Sequence, residues 1–418
     1  MGALRSHLHL SELATDLSLA GGVDLGPSQS ALLLRSTILI QKKKSIDGVL
    51  LHVATPIRGA TETLRYLDDH GIPFILLTNG GGRLEEDRVK ELSQKLDVPL
   101  TKDSFVQSHT PFQGLVHGPQ GLRDKNILVT GANAEKCRHI AEHYGFRNVI
   151  TPGDILVAEP KVWPFDPLLE SVYRSTARPL PAPIFHPARA ALARSPSTAL
   201  KIDAIFVFND PRDWALDIQL ITDLLLSEQG YLGTFSAKNG DTSLPNHGYQ
   251  QDGQPSLYFS NADLFWATGY QMPRLGQGAF QAAVAGVWSS VTSGHELRRN
   301  VIGKPYSETY MYAEKVLHEH RHEMLMRQGG VETPSQLERV WMVGDNPASD
   351  IAGANLHSGA NGTTWEGLLV RTGVWSPERQ SESSLRDQFA PRRVLGDVRE
   401  AVAWALEQEG WNTPKKLV

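Results

Sequence analysis

Apolar runs and amphipathic stretches alternate along this chain in the manner of β-α-β units. Residues Ala60 to Gly71 carry a helical apolar face and a glycine stop, and the apolar run Pro73 to Leu77 that follows has the look of a strand. Glu85 through Leu96 repeats the helical pattern, with Val89, Leu92 and Leu96 on one side. Further along, Ile127 to Thr130, Ala204 to Phe208 and Arg339 to Val343 read as buried strands. Ala132 to Tyr144 and Asp217 to Ser227 read as helices, and Val402, Ala405 and Leu406 mark a closing amphipathic helix. Strand-helix alternation of this kind predicts the α/β class with a doubly wound parallel, Rossmann-like sheet. No motif recurs at a solenoid period.

The polar stretches set the boundaries. Residues 175–197 are rich in Pro, Ala, Ser and Arg, with prolines at 179, 181, 183, 187 and 196, and predict an exposed loop insertion. Residues 239–256 predict a second surface loop. With 418 residues, 40% of them hydrophobic and 21% charged, the chain is long enough for about two to three domains. A net charge of -5 leaves no electrostatic footprint for nucleic acid. The single cysteine, Cys137, excludes an intramolecular disulfide framework, fits a reducing compartment and reads as a packed helix residue. No run of about 18 apolar residues predicts a membrane span. The first 40 residues hold Arg5, Arg35 and several serines but also Glu12, Asp16 and Asp24, a poor match to a transit peptide. The 15 histidines show no zinc-binding spacing, and no heptad commits the chain to an oligomeric state.

Three short segments carry candidate chemistry. Val343-Gly344-Asp345-Asn346-Pro347-Ala348-Ser349-Asp350 puts two acids five residues apart at the end of a strand, the mouth of an α/β sheet where ligands bind. Two carboxylates suit Mg²⁺, a hard cation that keeps several waters; the alternative is a loop with an N-cap aspartate. Thr78-Asn79-Gly80-Gly81-Gly82 follows another apolar run and offers a hydroxyl and bare backbone N–H groups to an anion, or is simply a glycine-rich turn. Lys304, in Gly303-Lys304-Pro305, is a point charge on a constrained loop that can reach the same phosphate.

Taken in order, Asp47-Gly48-Val49-Leu50, Thr78-Asn79-Gly80, Lys304 and Asp345 with Asp350 resemble the phosphatase motifs of the haloacid dehalogenase (HAD) hydrolase superfamily. The long interval between Asn79 and Lys304 resembles class IIA, in which a large α/β cap is inserted there. Ser108-His109-Thr110-Pro111-Phe112 and Phe208 to Trp214 are similar to its cat-eye-syndrome-critical-region branch, which has mitochondrial members. The resemblance covers residues 45 to 405. It implies a HAD core at 45–111 and 277–410, a cap at 112–276, an atypical segment at 1–44 and a tail at 411–418. It implies a Mg²⁺-dependent phosphatase of a small phosphorylated metabolite, with Asp47 as acid/base and Thr78, Asn79, Gly80 and Lys304 as phosphate ligands. Mg²⁺ falls to Asp345, Asp350 and the Asp47 carbonyl. Arg212, Asp213 and Trp214 are candidates for substrate contact from the cap, against the plainer reading of Asp213 as an N-cap and Trp214 as a packed anchor. Location in mitochondria, with a faint link to phospholipid metabolism, also comes from the resemblance; otherwise the chain reads as cytoplasmic.

One departure outweighs the matches. The family's first motif opens Asp-x-Asp-Gly, and this chain has Ser45-Ile46-Asp47-Gly48. The family's first Asp attacks phosphorus and ligates Mg²⁺; serine at neutral pH supplies neither a negative charge nor a deprotonated nucleophile. Catalysis is therefore expected to be severely impaired, and the alternative function is a HAD scaffold that binds a phosphorylated ligand or a protein partner without turnover. Ile38-Leu39-Ile40-Gln41-Lys42-Lys43-Lys44 also reads badly as the buried strand the motif should leave. Either the strand lies upstream, at Leu32 through Ile40, with a loop after it, or a mistaken exon join has replaced the family's strand and Asp. The abrupt resumption of the match at Ile46 favours the second, with a genuine pseudoenzyme as the alternative.

Overall fold

The computed structural model describes residues 36–42, 48–52, 55–117, 121–187, 196–266, 270, 272–327, 336–359, 362–378 and 380–411. Ser45 and Asp47 lie outside the described residues. In chain order the strands are β1 (Ser36–Lys42), β2 (Leu51–His52), β3 (Thr55–Pro56), β4 (Phe74–Thr78), β5 (Phe105–Val106), β6 (Asn126–Thr130), β7 (Asn148–Ile150) and β8 (Ala204–Val207). They continue with β9 (Ser256–Phe259), β10 (Phe265–Trp266), β11 (Arg274–Leu275), β12 (Asn300–Val301), β13 (Arg339–Gly344), β14 (Thr364–Val370) and β15 (Arg393–Leu395).

Two parallel sheets organise these strands. The first runs β15-β14-β13-β1-β4-β5. Its central strands are apolar on both faces because helices cover both, as parallel sheets require. Ile38, Ile40, Leu76, Trp341 and Val343 face the helices Ala60–Asp69, Glu85–Leu96 and Val398–Gln408. Leu39, Ile75, Leu77, Val340 and Met342 face Ser307–Arg327 and the short helix Ala352–His357. The second sheet runs β12-β9-β8-β6-β7, also parallel throughout. Ala134–Tyr144 covers one of its faces; Trp214–Leu226 and Gln277–Val291 cover the other. The α/β class and the doubly wound first sheet are as the hydrophobic pattern predicts.

Two expectations change. A strand is present where the lysine run reads badly for one: β1 spans Ser36–Lys42 between β13 and β4, with Ile38, Leu39 and Ile40 buried. It overlaps the upstream alternative, Leu32 through Ile40, whose first residues lie outside the described ones, and extends to Lys42. The crossing back to the first sheet does not fall at residue 277, because Gln277–Val291 packs on the second sheet and Asn300–Val301 adds a strand to it.

A buried acid in the second sheet's layer gives the fold a pH dependence. Asp217, in the first turn of Trp214–Leu226, is 4% exposed and accepts a 2.8 Å hydrogen bond from Thr130 Oγ1. Burial pushes its carboxyl up to about 8, the Thr130 hydrogen bond opposes this, and the neighbouring Asp213 charge adds to it. The folded-state value is raised, so the unfolded chain loses this proton first as pH climbs. The stability it contributes is present below about pH 4 and drains away up to pH 8, by on the order of 1.4 kcal/mol per pH unit at most. Asp217→Asn keeps an acceptor for Thr130 but cannot ionise. It is expected to raise the urea midpoint at pH 7.5 while changing little below about pH 4; an equal change at both pH values would contradict the assignment.

Candidate active site

The strand ends β1, β4 and β13 lie side by side, and the residues that follow β4 and β13 meet around Lys304. Thr78 closes β4 and is buried; its Oγ1 accepts from Gly80 N at 2.9 Å, which curls the glycine loop back over the strand end. Asn79 then reaches across to the loop holding Lys304, 225 residues away. Its Oδ1 accepts from Lys304 N at 2.8 Å, and its Nδ2 donates to Lys304 O and to Asp263 Oδ1, each at 3.2 Å. Gly303 is the residue that fits there: it has a φ of 98°, and a Cβ would lie 2.7 Å from Ser260 O.

That clamp aims the Lys304 side chain inward. Its Nζ stands 3.2 Å from Asp350 Oδ1, and both side chains are 0% exposed. Asp350 also accepts from Ser349 Oγ at 3.0 Å and, through Oδ2, from Asn346 N at 2.8 Å. It sits in the π-helical turn Pro347–Ile351, whose cap Asn346 accepts from Ala348 N. Burial draws the Lys304 ammonium below its usual value against the pull of Asp350, Asp263 and Asp345. Burial likewise pushes the Asp350 carboxyl up, against the pull of Lys304 and the Asn346 and Ser349 hydrogen bonds. Each charge is desolvated, and each is held by the other.

Asp345 follows β13 directly and is fully buried. Its Oδ2 accepts from Val374 N at 2.8 Å and its main-chain oxygen from Trp375 N at 3.1 Å. Glycines wall the carboxylate. A Cβ on Gly48 would come within 2.5 Å of it, and one on Gly373 would overlap Oδ2. Thr372 Oγ1 donates to Gly48 O, tying together the two glycine segments on either side of the acid.

The donor chemistry suits a hard divalent cation. Asp345 and Asp350 supply two carboxylates, and Mg²⁺ is held by one or two carboxylates together with water and phosphate oxygens. Among the described residues no group of three or more His, Cys, Asp or Glu side chains is placed to hold a metal.

Thr78, Asn79, Gly80, Lys304, Asp345 and Asp350 are thus brought together, whereas Ser45 and Asp47 fall outside the described residues. The three cap candidates take other work. Asp213 accepts from Leu216 N at 3.3 Å as the helix N-cap and from Tyr173 Oη at 3.0 Å. Trp214 donates through Nε1 to Pro211 O at 3.0 Å and packs against Phe280. Arg212 is exposed. Among the described residues, no hydrogen bond or ion pair links any of the three to Thr78, Lys304, Asp345 or Asp350. Besides Asp263, which accepts from Asn79, Asn209 reaches the glycine loop: a Cβ on Gly82 would overlap its Nδ2, and its Oδ1 accepts from Ala132 N at 2.7 Å. Its role is set by the space that Gly82 and Gly131 leave for it, which no local pattern reveals.

A parallel α/β core with acid and anion ligands at its strand ends, and a second α/β sheet joined through the lysine loop, defines a HAD-type hydrolase scaffold. Models of that family match the chain twice, as haloacid dehalogenase-like hydrolase over residues 45–147 and as HAD-hydrolase-like over residues 301–401. A mitochondrial hydrolase of Saccharomyces cerevisiae is 36% identical over 375 residues, covering 87% of this chain and 94% of that protein. A cardiolipin synthase (CMP-forming)/mitochondrial hydrolase fusion protein of Schizosaccharomyces pombe is 37% identical over 365 residues; the match takes in 87% of this chain and about half, 52%, of that longer protein. The crystal structure of a possible sugar phosphatase of the HAD superfamily from Cytophaga hutchinsonii shares the fold, with a TM-score of 0.52 at 14% identity over 90% of this chain and 99% of that one. The chain belongs to the HAD-like hydrolases.

The glycine walls around Asp345 are testable apart from activity. Gly373→Ala is expected to destabilise the protein by about 1–3 kcal/mol in urea unfolding, because its Cβ has no room beside the carboxylate. Gly286→Ala, inside Gln277–Val291 with nothing within 4 Å of the new Cβ, is expected to be neutral or stabilising. Equal effects of the two would remove the case for a packed carboxylate.

Proposed function

We propose that this chain binds the phosphoryl group of a small phosphorylated metabolite at the ends of β4 and β13, and that Ser45 alone stands between this binding and phosphatase turnover. The observation that carries the reading is the buried Lys304 ammonium, clamped by Asn79 and facing Asp350 beside the Thr78 loop. A fully desolvated cation at a strand end is a strong anion partner, because little water competes for it. Thr78 Oγ1 and the backbone after it supply the remaining donors.

Mg²⁺, held by Asp345, Asp350 and the residue following Ile46 in the motif, would when bound neutralise phosphoryl charge. The chain's own residues do the rest of the positioning: Lys304 as a point charge, Thr78 as a hydroxyl ligand and Asp47 as acid/base. With serine at position 45 no carboxylate is available there to attack phosphorus. The names of two fungal relatives support a mitochondrial location, and the fusion of one to a cardiolipin synthase supports a substrate from phospholipid chemistry. Among the described residues no helix is long and apolar enough to cross a membrane.

The test uses orthophosphate and a generic aryl phosphate. The unmodified chain is expected to bind orthophosphate with Mg²⁺ present, and Lys304→Met to weaken that binding about tenfold or more, the size of a lost charge-assisted contact. Aryl phosphate release is expected to be absent with Ser45 and to appear, dependent on Mg²⁺, in Ser45→Asp. Binding that is indifferent to Lys304→Met would refute the phosphate reading. Tight binding without any release by Ser45→Asp would make the chain a non-hydrolytic binder.

A further inference from the structure

The glycine loop after β4 is held by a buried network that the roles above leave unused. Gly82 N donates to His109 Nε2 at 3.0 Å, and a Cβ on Gly81 would lie 2.6 Å from His109 Cδ2 and 2.7 Å from Ser108 Oγ. His109 is 0% exposed, with its ring packed against Phe208 and Tyr144. On its far side Nδ1 stands 2.6 Å from Tyr144 Oη, and Tyr144 donates to Glu85 Oε1 at 2.6 Å. Glu85 Oε1 also accepts from Thr110 Oγ1 at 2.6 Å, and Thr110 Oγ1 accepts from Gln107 N.

Every proton in this chain has one available position. A backbone N–H can only donate, so the Gly82 amide requires Nε2 to be the acceptor. A neutral imidazole then carries its proton on Nδ1 and donates to Tyr144, whose single hydroxyl proton goes on to the Glu85 carboxylate. Burial holds the His109 ring below its usual value, and the Glu85 charge only partly offsets this, so the ring is neutral. An imidazolium would set one N–H against another at Gly82.

We propose that His109, locked as the Nδ1–H tautomer by Tyr144 and Glu85, is the positioning residue of the phosphate-binding loop: by tying down the Gly82 amide it fixes how Thr78, Gly80 and Gly81 present their donors. The proposal rests on the phosphate reading above. His109 touches no phosphoryl group and acts through the backbone. Gly82 is thus in contact both with His109, which follows β5, and with Asn209, which follows β8.

The experiment uses the full chain with ¹⁵N-labelled histidine, and orthophosphate as the probe in the presence of Mg²⁺. Nitrogen shifts of His109 should report the Nδ1–H tautomer between pH 6 and 8. Orthophosphate affinity is measured for the unmodified chain, His109→Phe, His109→Gln and Tyr144→Phe, each at a temperature where its own unfolding curve shows it folded. His109→Phe is expected to lose about tenfold in affinity, roughly 1.4 kcal/mol, within the range for one orphaned buried donor. His109→Gln, whose carbonyl can accept the Gly82 N–H, should recover affinity to within about threefold. Tyr144→Phe should mix the tautomers and fall between, and if His109→Phe does not fold, these two variants decide the matter. An Nε2–H tautomer, or affinity unchanged in the folded variants while the unmodified chain binds, overturns the inference alone. Failure of the unmodified chain to bind orthophosphate overturns the phosphate reading and this inference with it.

Discussion

The rest of the site depends on a lysine and an aspartate shut away from water 3.2 Å apart. Desolvating two ions costs several kcal/mol each, and that cost is met only where geometry and extra hydrogen bonds are good. Here Asp350 has Asn346 N and Ser349 Oγ, and Lys304 has its backbone gripped in both directions by Asn79. Three segments far apart in sequence must therefore arrive together: the end of β4, the turn after β13 and the loop leaving the second sheet. An arrangement this demanding is weak evidence for stability. It is better evidence for a site, since the same burial that penalises the pair strengthens its attraction for an incoming anion or cation.

Much of this was legible in the sequence because it is written locally. The continuous apolar runs of β4 and β13 mark strands buried on both faces, and Thr78, Asn79, Lys304, Asp345 and Asp350 stand at their ends or on a Gly/Pro loop. The supporting residues were not legible. Glu85 reads as an ordinary first-turn acid of Glu85–Leu96, and Tyr144 as the closing apolar residue of Ala134–Tyr144. Only the packing of those two helices around the His109 loop turns them into a hydrogen-bond chain. For Asp213 and Trp214 the plainer of the two readings is the one seen, a helix cap and a packed anchor, while Asn209, which no local pattern marks, reaches the glycine loop.

The lysine run misled for a related reason. Burial in a parallel sheet is demanded of the residues in the middle of a strand, and in β1 Thr37, Ile38, Leu39 and Ile40 are buried. That short centre lies between β13 and β4, which pair with it on both sides.

The register fixes what stands on either side of the first motif. Lys42 pairs with Thr78, and Ile40 with Val343, so the position level with both Thr78 and Asp345 is residue 42. Gly48, the glycine that closes the motif, stands against the Asp345 carboxylate, where a Cβ would come within 2.5 Å, and its main-chain oxygen accepts from Thr372 Oγ1. The sheet position before the motif and the glycine at its end therefore both belong to the strand ends that carry Thr78 and Asp345, where a parallel α/β sheet binds its ligands.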